Sequence, residues 1–123
     1  MNNTYGILFV MCTNVRGYII FDGRKNDDFD AALKRYTLNG TRVTDENGST
    51  HLYKGKLYFA IEVNKYEQKM KAIKNVLRAY KNNKSSKGNI YKIDAVDVAN
   101  LLNLFDGQTN FNPDAIDYYT KIK

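Results

Sequence analysis

The 123-residue chain has no tryptophan, one proline, one cysteine and one histidine. With Cys12 as the only thiol, no intrachain disulfide can form, and the residue sits in an apolar run where a buried, inert thiol is expected. A lone His51 and a lone Cys12 cannot assemble a zinc site from the usual nitrogen and sulfur ligands. They also leave no Ser-His-Asp or Cys-His set, so both read as surface and core residues. No glycine-rich phosphate loop is present, and no cofactor is expected. The longest apolar run, Ile7 to Cys12, falls far short of the roughly 20 residues of a membrane span, and no charged leader with a cleavage site precedes it. These absences lead to the expectation of a soluble, cytoplasmic protein with no membrane partner.

What is present is the composition of a folding domain, 43% apolar and 26% charged, in a length that suits one globular domain over residues 1–123. Asparagine, lysine, isoleucine and tyrosine are abundant, as AT-rich codons would make them, which fits a phage, another mobile element or a low-GC bacterium. Tyr5 to Cys12 and Tyr18 to Phe21 read as two buried strands of a hairpin, closed by Asp22-Gly23. Acid-rich Asn26-Asp27-Asp28 then opens a helix with Phe29, Ala32, Leu33 and Tyr36 on one face, and Asn39-Gly40 ends it. Asn47-Gly48 and Lys54-Gly55 are hairpin signals, and Leu57, Phe59, Ile61 and Val63 alternate as one core face of a strand.

From Lys65 to about Asn82 the spacing predicts a helix with Tyr66, Met70, Ile73, Leu77 and Tyr80 in one row, widened by Ala72, Val76 and Ala79. A short strand from Ile90 to Ile93 and a helix capped by Asp94, with Val98, Leu101, Leu102 and Phe105 inward, follow. Asn112-Pro113 opens a last short helix. The expected fold is α+β, a mostly antiparallel sheet of about four to five strands with three to four helices packed on it.

Charge is the feature that points toward function. Between Lys65 and Lys87 stand eight basic residues and the single acid Glu67, a net charge of +7, whereas the other eleven basic and twelve acidic residues leave −1. On a continuous helix Lys71, Lys74, Arg78 and Lys81 form a stripe, and Lys84 and Lys87 extend it into the following loop. These six residues are the candidate nucleic-acid contacts. The expected function is a non-enzymatic basic module that docks on nucleic acid or a nucleoprotein complex, in the manner of a regulatory or anti-defence inhibitor protein. A protein-only module with an acidic partner, or lysines that only solvate a helix, accounts for the same charge. Tyr53, Tyr58, Tyr80 and Tyr91 lie near basic residues, where exposed rings would stack on bases and buried ones would be core.

Two nuclease patterns stand beside this reading. Gly6-Ile7-Leu8, nine residues, Tyr18-Ile19-Ile20 and the following helix together resemble the start of a GIY-YIG nuclease domain over about 30 residues. The resemblance breaks at Leu8, Ile20 and Ala32, where that family carries a tyrosine, a glycine and usually an arginine. The second pattern is Asp45, then Glu62-Val63-Asn64-Lys65, which looks like the core of restriction-endonuclease-type enzymes. There an aspartate and a glutamate hold Mg²⁺ and a lysine steadies the attacking water. Lys65 comes three residues after Glu62 instead of two, which in a strand turns it to the opposite face. The last two helices also have the outline of a helix-turn-helix, with a Gly107–Asn112 link longer than the usual turn.

Overall fold

A computed structural model of the chain describes residues 5–44, 47–81 and 89–106. Strands β1 (Tyr5–Thr13) and β2 (Tyr18–Lys25) pair antiparallel from Gly6 opposite Lys25 to Cys12 opposite Ile19. The intervening turn is held by Thr13, whose Oγ1 donates to Tyr18 O at 2.8 Å and accepts from Val15 N–H at 3.1 Å. Helix α1 (Asn26–Lys34) runs into a π-helical turn, Arg35–Asn39. A two-stranded hairpin follows, β3 (Thr41–Thr44) with β4 (Thr50–Tyr53), and then the long β5 (Gly55–Asn64). Helix α2 (Tyr66–Val76), a 3₁₀ turn (Leu77–Tyr80), β6 (Ile90–Lys92) and α3 (Ala95–Asp106) complete the described chain.

The main sheet has the order β5-β1-β2-β6, with every pairing antiparallel. Both of its faces are covered. Ile7, Phe9 and Met11 pack with Phe29, Ala32, Leu33 and Tyr36 of α1 and the π turn, and with Val43 and Tyr53 of the hairpin. Leu8 and Val10 point the other way, onto Tyr66, Ile73 and Leu77 of the α2 segment and Val98, Ala99 and Leu102 of α3. A strand buried on both faces reads as an unbroken apolar run, which is why Ile7 to Cys12 shows no alternation. The α+β class, the four antiparallel strands and the three helices therefore agree with the sequence reading; the hairpin is a separate two-stranded sheet.

Three local expectations are corrected. Lys54-Gly55 is no hairpin turn, because among the described residues β4 pairs with β3 and β5 with β1, not with each other. Asn14 straps that corner instead: its Oδ1 accepts from Lys54 N–H at 2.8 Å, and its Nδ2 donates to Leu52 O at 3.1 Å. Second, Leu57 and the Phe59–Val63 series do not share a face. Val10 lies opposite Phe59 but Met11 opposite Leu57, so Tyr58 is an extra, bulged residue that flips the phase of β5. Leu57 consequently joins the α1 core and Ile61 and Val63 the α2–α3 core, with Phe59 only half-buried. Third, the α-helix stops at Val76, well before Asn82, and Ala72, Val76, Ala79 and Tyr80 are exposed. The buried row is Tyr66, Ile73 and Leu77. The Asn112-Pro113 helix lies outside the described residues.

Candidate functional site

Strand β6 is short and covers only Tyr18 to Ile20 of β2, the last rung being Phe21 N–H to Asn89 O at 3.0 Å. Asp22, Gly23 and Arg24 continue β2 beyond the rungs it makes with β6. In the β1–β2 register Asp22 stands opposite Phe9, so its side chain belongs to the face that α1 covers. It is only 1% exposed.

A carboxylate that deep is tolerated only when its oxygens are matched by donors. Asp22 Oδ2 accepts from Tyr36 OH at 2.6 Å and from Asn89 Nδ2 at 3.3 Å, and forms an ion pair with Arg24 Nη1 at 2.6 Å. Oδ1 accepts from Gly23 N–H at 2.8 Å, with Lys74 Nζ of α2 at 3.6 Å. Asn89 ties the cluster together, donating to Tyr36 OH at 2.7 Å and accepting from Lys74 Nζ at 3.1 Å. Four separated stretches of the chain, β2, the π turn, α2 and the residue before β6, thus meet at one carboxylate.

Burial first, and then the Asp22 carboxylate, push the Tyr36 phenol well above its ordinary range. An unfolded tyrosine ionises near pH ~10, so Tyr36 contributes stability that is fully present below that pH and lost as pH climbs toward the folded value. Tyr36→Phe should cost about 1–3 kcal/mol at neutral pH, where the buried hydrogen bonds to Asp22 and from Asn89 are both removed. It should also lose stability less steeply than the wild type between pH ~10 and ~11.5, measured as urea midpoints, and parallel alkaline profiles would disprove this account of Tyr36.

Beside this cluster lies a small pocket walled by Arg24, Arg35, Tyr36, Asn39 and Gly40. Its shape depends on Gly40, which has φ 73° and whose added Cβ would meet Tyr53 O at 2.7 Å. The π-helical turn sets Arg35, Tyr36 and Asn39 around it, and such turns recur at functional sites.

Of the predicted nucleic-acid contacts, Lys71, Arg78 and Lys81 are exposed, whereas Lys74 is drawn inward to Asp22 and Asn89. They do not lie on one continuous α-helix: Lys71 and Lys74 belong to α2, Arg78 to the 3₁₀ turn, and Lys81 is extended and bridges to Tyr91 beside β6. Lys84 and Lys87 lie outside the described residues. Among the tyrosines considered for stacking, Tyr53 and Tyr91 are buried, Tyr58 is half-buried and Tyr80 is 48% exposed.

Asp45 of the restriction-type pattern is also outside the described residues. Glu62 accepts a hydrogen bond from Asn26 Nδ2 at the start of α1, and Lys65 is exposed in a left-handed conformation at φ 54° ahead of α2. No group of three or more His, Cys, Asp or Glu side chains suited to a metal ion occurs among the described residues. The GIY-YIG positions Leu8, Ile20 and Ala32 are fully buried core. Gly6 is required by packing, because a Cβ there would sit 2.3 Å from Cγ of Tyr66. Cys12 is half-buried and burial pushes its thiol up, as an inert packing residue requires. Among the described residues no helix is long and apolar enough to cross a membrane.

The sequence reading took Asp22 for the end of a strand and Tyr36 for core, and so missed the cluster. The available signal was a carboxylate two residues after Ile20, on the same face of an otherwise apolar strand. No known protein family, curated protein or solved structure matches the chain.

Proposed function

We propose that the protein is a non-enzymatic binding module that docks the basic surface of α2 and the 3₁₀ turn on nucleic acid or a nucleoprotein complex. The observation that supports this reading is the pairing state of that surface. Lys71, Arg78 and Lys81 are exposed and have no ion-pair partner among the described residues, and Glu67 is the only acid from Tyr66 to Lys81. Cations left without acidic neighbours gain most from a polyanion, through counterion release. Three or four phosphate contacts correspond to a slope of about −2 to −4 in log K against log salt.

Lys71→Glu with Arg78→Glu should lower affinity for random RNA or DNA at least ~10-fold and flatten that slope. The melting temperature should move by less than about 2 °C, since exposed unpaired cations contribute little to stability. Unchanged binding in this variant would remove the reading. A partner that is an acidic protein would instead show no binding to random nucleic acid at any salt concentration. For the competing enzyme, Mg²⁺ or Mn²⁺ would raise the melting temperature and support cleavage, and Glu62→Gln would abolish both. Neither effect is expected, because Glu62 is engaged by Asn26 and Lys65 is not on its strand.

A further inference from the structure

We propose that the pocket walled by Arg24, Arg35, Tyr36, Asn39 and Gly40 is a binding site for a phosphate monoester. The inference starts from the orientation of Arg24. Its Nη1 spends both hydrogens, one on Asp22 Oδ2 at 2.6 Å and one on Gly23 O at 2.9 Å. That fixes the guanidinium plane and leaves three of its five N–H groups for another acceptor. Arg35, on the same wall, is exposed and has no ion-pair or hydrogen-bond partner for its guanidinium among the described residues. Asn39 adds an exposed carboxamide.

The charge balance selects the ligand class. Among the described residues of the pocket and the adjoining cluster, the pocket's Arg24 and Arg35 and the cluster's Lys74 stand against Asp22, a local excess of +2 that a dianion neutralises and a carboxylate halves. Planar forked donors match the oxygens of a phosphate. The pocket volume of about 90 Å³ admits one small oxyanion and is far below the ~300–1,000 Å³ of drug-sized ligand sites, so the rest of a monoester would extend into solvent past Arg35 and Asn39. Fold stability alone gives little reason for a buried carboxylate here, since apolar residues of similar volume often replace such ion pairs without loss. Its cost is explained if Asp22 is the positioning residue that aims Arg24.

This site belongs to the α1 side of the sheet and does not rest on the polyanion reading of α2. Lys74 links the two, through Asp22 and Asn89. Phosphate at a strand terminus and phosphate on a free nucleotide share the chemistry, so the experiment carries both. The full chain is titrated with inorganic phosphate against sodium chloride at matched ionic strength, then with adenosine 5′-monophosphate against adenosine, and with an oligonucleotide bearing a 5′-phosphate against its 5′-hydroxyl form.

Phosphate should raise the melting temperature where chloride does not. Arg35→Ala should weaken phosphate binding about 10-fold or more while leaving the melting temperature in chloride unchanged, and Arg35→Lys should fall between. Lys71→Glu with Arg78→Glu should leave inorganic phosphate binding intact even where it abolishes binding to random nucleic acid. An Arg35-dependent preference for the 5′-phosphorylated oligonucleotide identifies a strand end, and one seen only with the mononucleotide identifies a free nucleotide. Equal effects of phosphate and chloride, or equal phosphate binding by Arg35→Ala and wild type, would overturn the proposal.

Discussion

An Asp22→Ala chain is expected to lose about 3–5 kcal/mol of folding stability, a large share of the ~5–15 kcal/mol that holds a domain together. The loss does not fall evenly on the partners. Arg24 and Lys74 are about one-third exposed at the side chain, at 33% and 30%, and can turn to water when the carboxylate is gone. Gly23 N–H and the Tyr36 hydroxyl proton cannot, and each buried polar group stranded in this way costs about 1–3 kcal/mol, whereas the Asn89 amide keeps Tyr36 OH and Lys74 as partners. Asp22→Asn keeps an acceptor for Tyr36 and should lose roughly half as much. The readout is the urea midpoint at neutral pH, and a loss below about 1 kcal/mol in Asp22→Ala would show that the cluster is not a structural junction.

Phe9→Ala should be comparably damaging, at about 3–5 kcal/mol, through a different mechanism. Phe9 is fully buried at the centre of the α1 face, its ring edge-on to Phe29 at 5.4 Å and to Tyr36 at 6.2 Å. Removing it leaves a cavity that β1, paired on both sides, cannot collapse to fill. Phe9 and Asp22 also face each other across β1 and β2 and share Tyr36 as a neighbour. Their effects should therefore fall short of additivity by more than about 0.5 kcal/mol in a double-mutant cycle, while Phe9→Ala combined with Arg78→Glu should be additive.

The parts of the fold written in local periodicity could be read from the sequence. Phe29, Ala32, Leu33 and Tyr36 repeat at helical spacing, and that face is the one that meets the sheet. The first hairpin was equally legible, because two β-branched and aromatic runs flank a short polar turn. What could not be read depended on partners distant in the chain. Nothing local marks Tyr58 as bulged, since its extra length matters only against the register of β1. The helical row through Val76 and Tyr80 continued on paper, yet the chain leaves α-geometry at Leu77 and Lys81 pairs with Tyr91. The Asp22 junction draws on residues 14 to 67 positions away, a separation that no window of periodicity spans. The candidate cations were visible as charge, but Lys74 could be separated from its neighbours only once Asp22 was placed beside it.

The bulge at Tyr58 also bears on how the molecule avoids its own kind. β5 is an outer strand of the sheet and, at ten residues, the longest one described. A straight strand of that length offers a row of unsatisfied amides and carbonyls onto which a second copy could add, the first step toward a fibrillar stack. An extra residue in its middle bends the ribbon and sharpens its twist, so that no long, flat template is presented. At the opposite margin β6 has only three residues and Lys81 already bridges to it. Both outer strands of the sheet, as described, are thereby made poor nuclei for aggregation, one by curvature and the other by brevity.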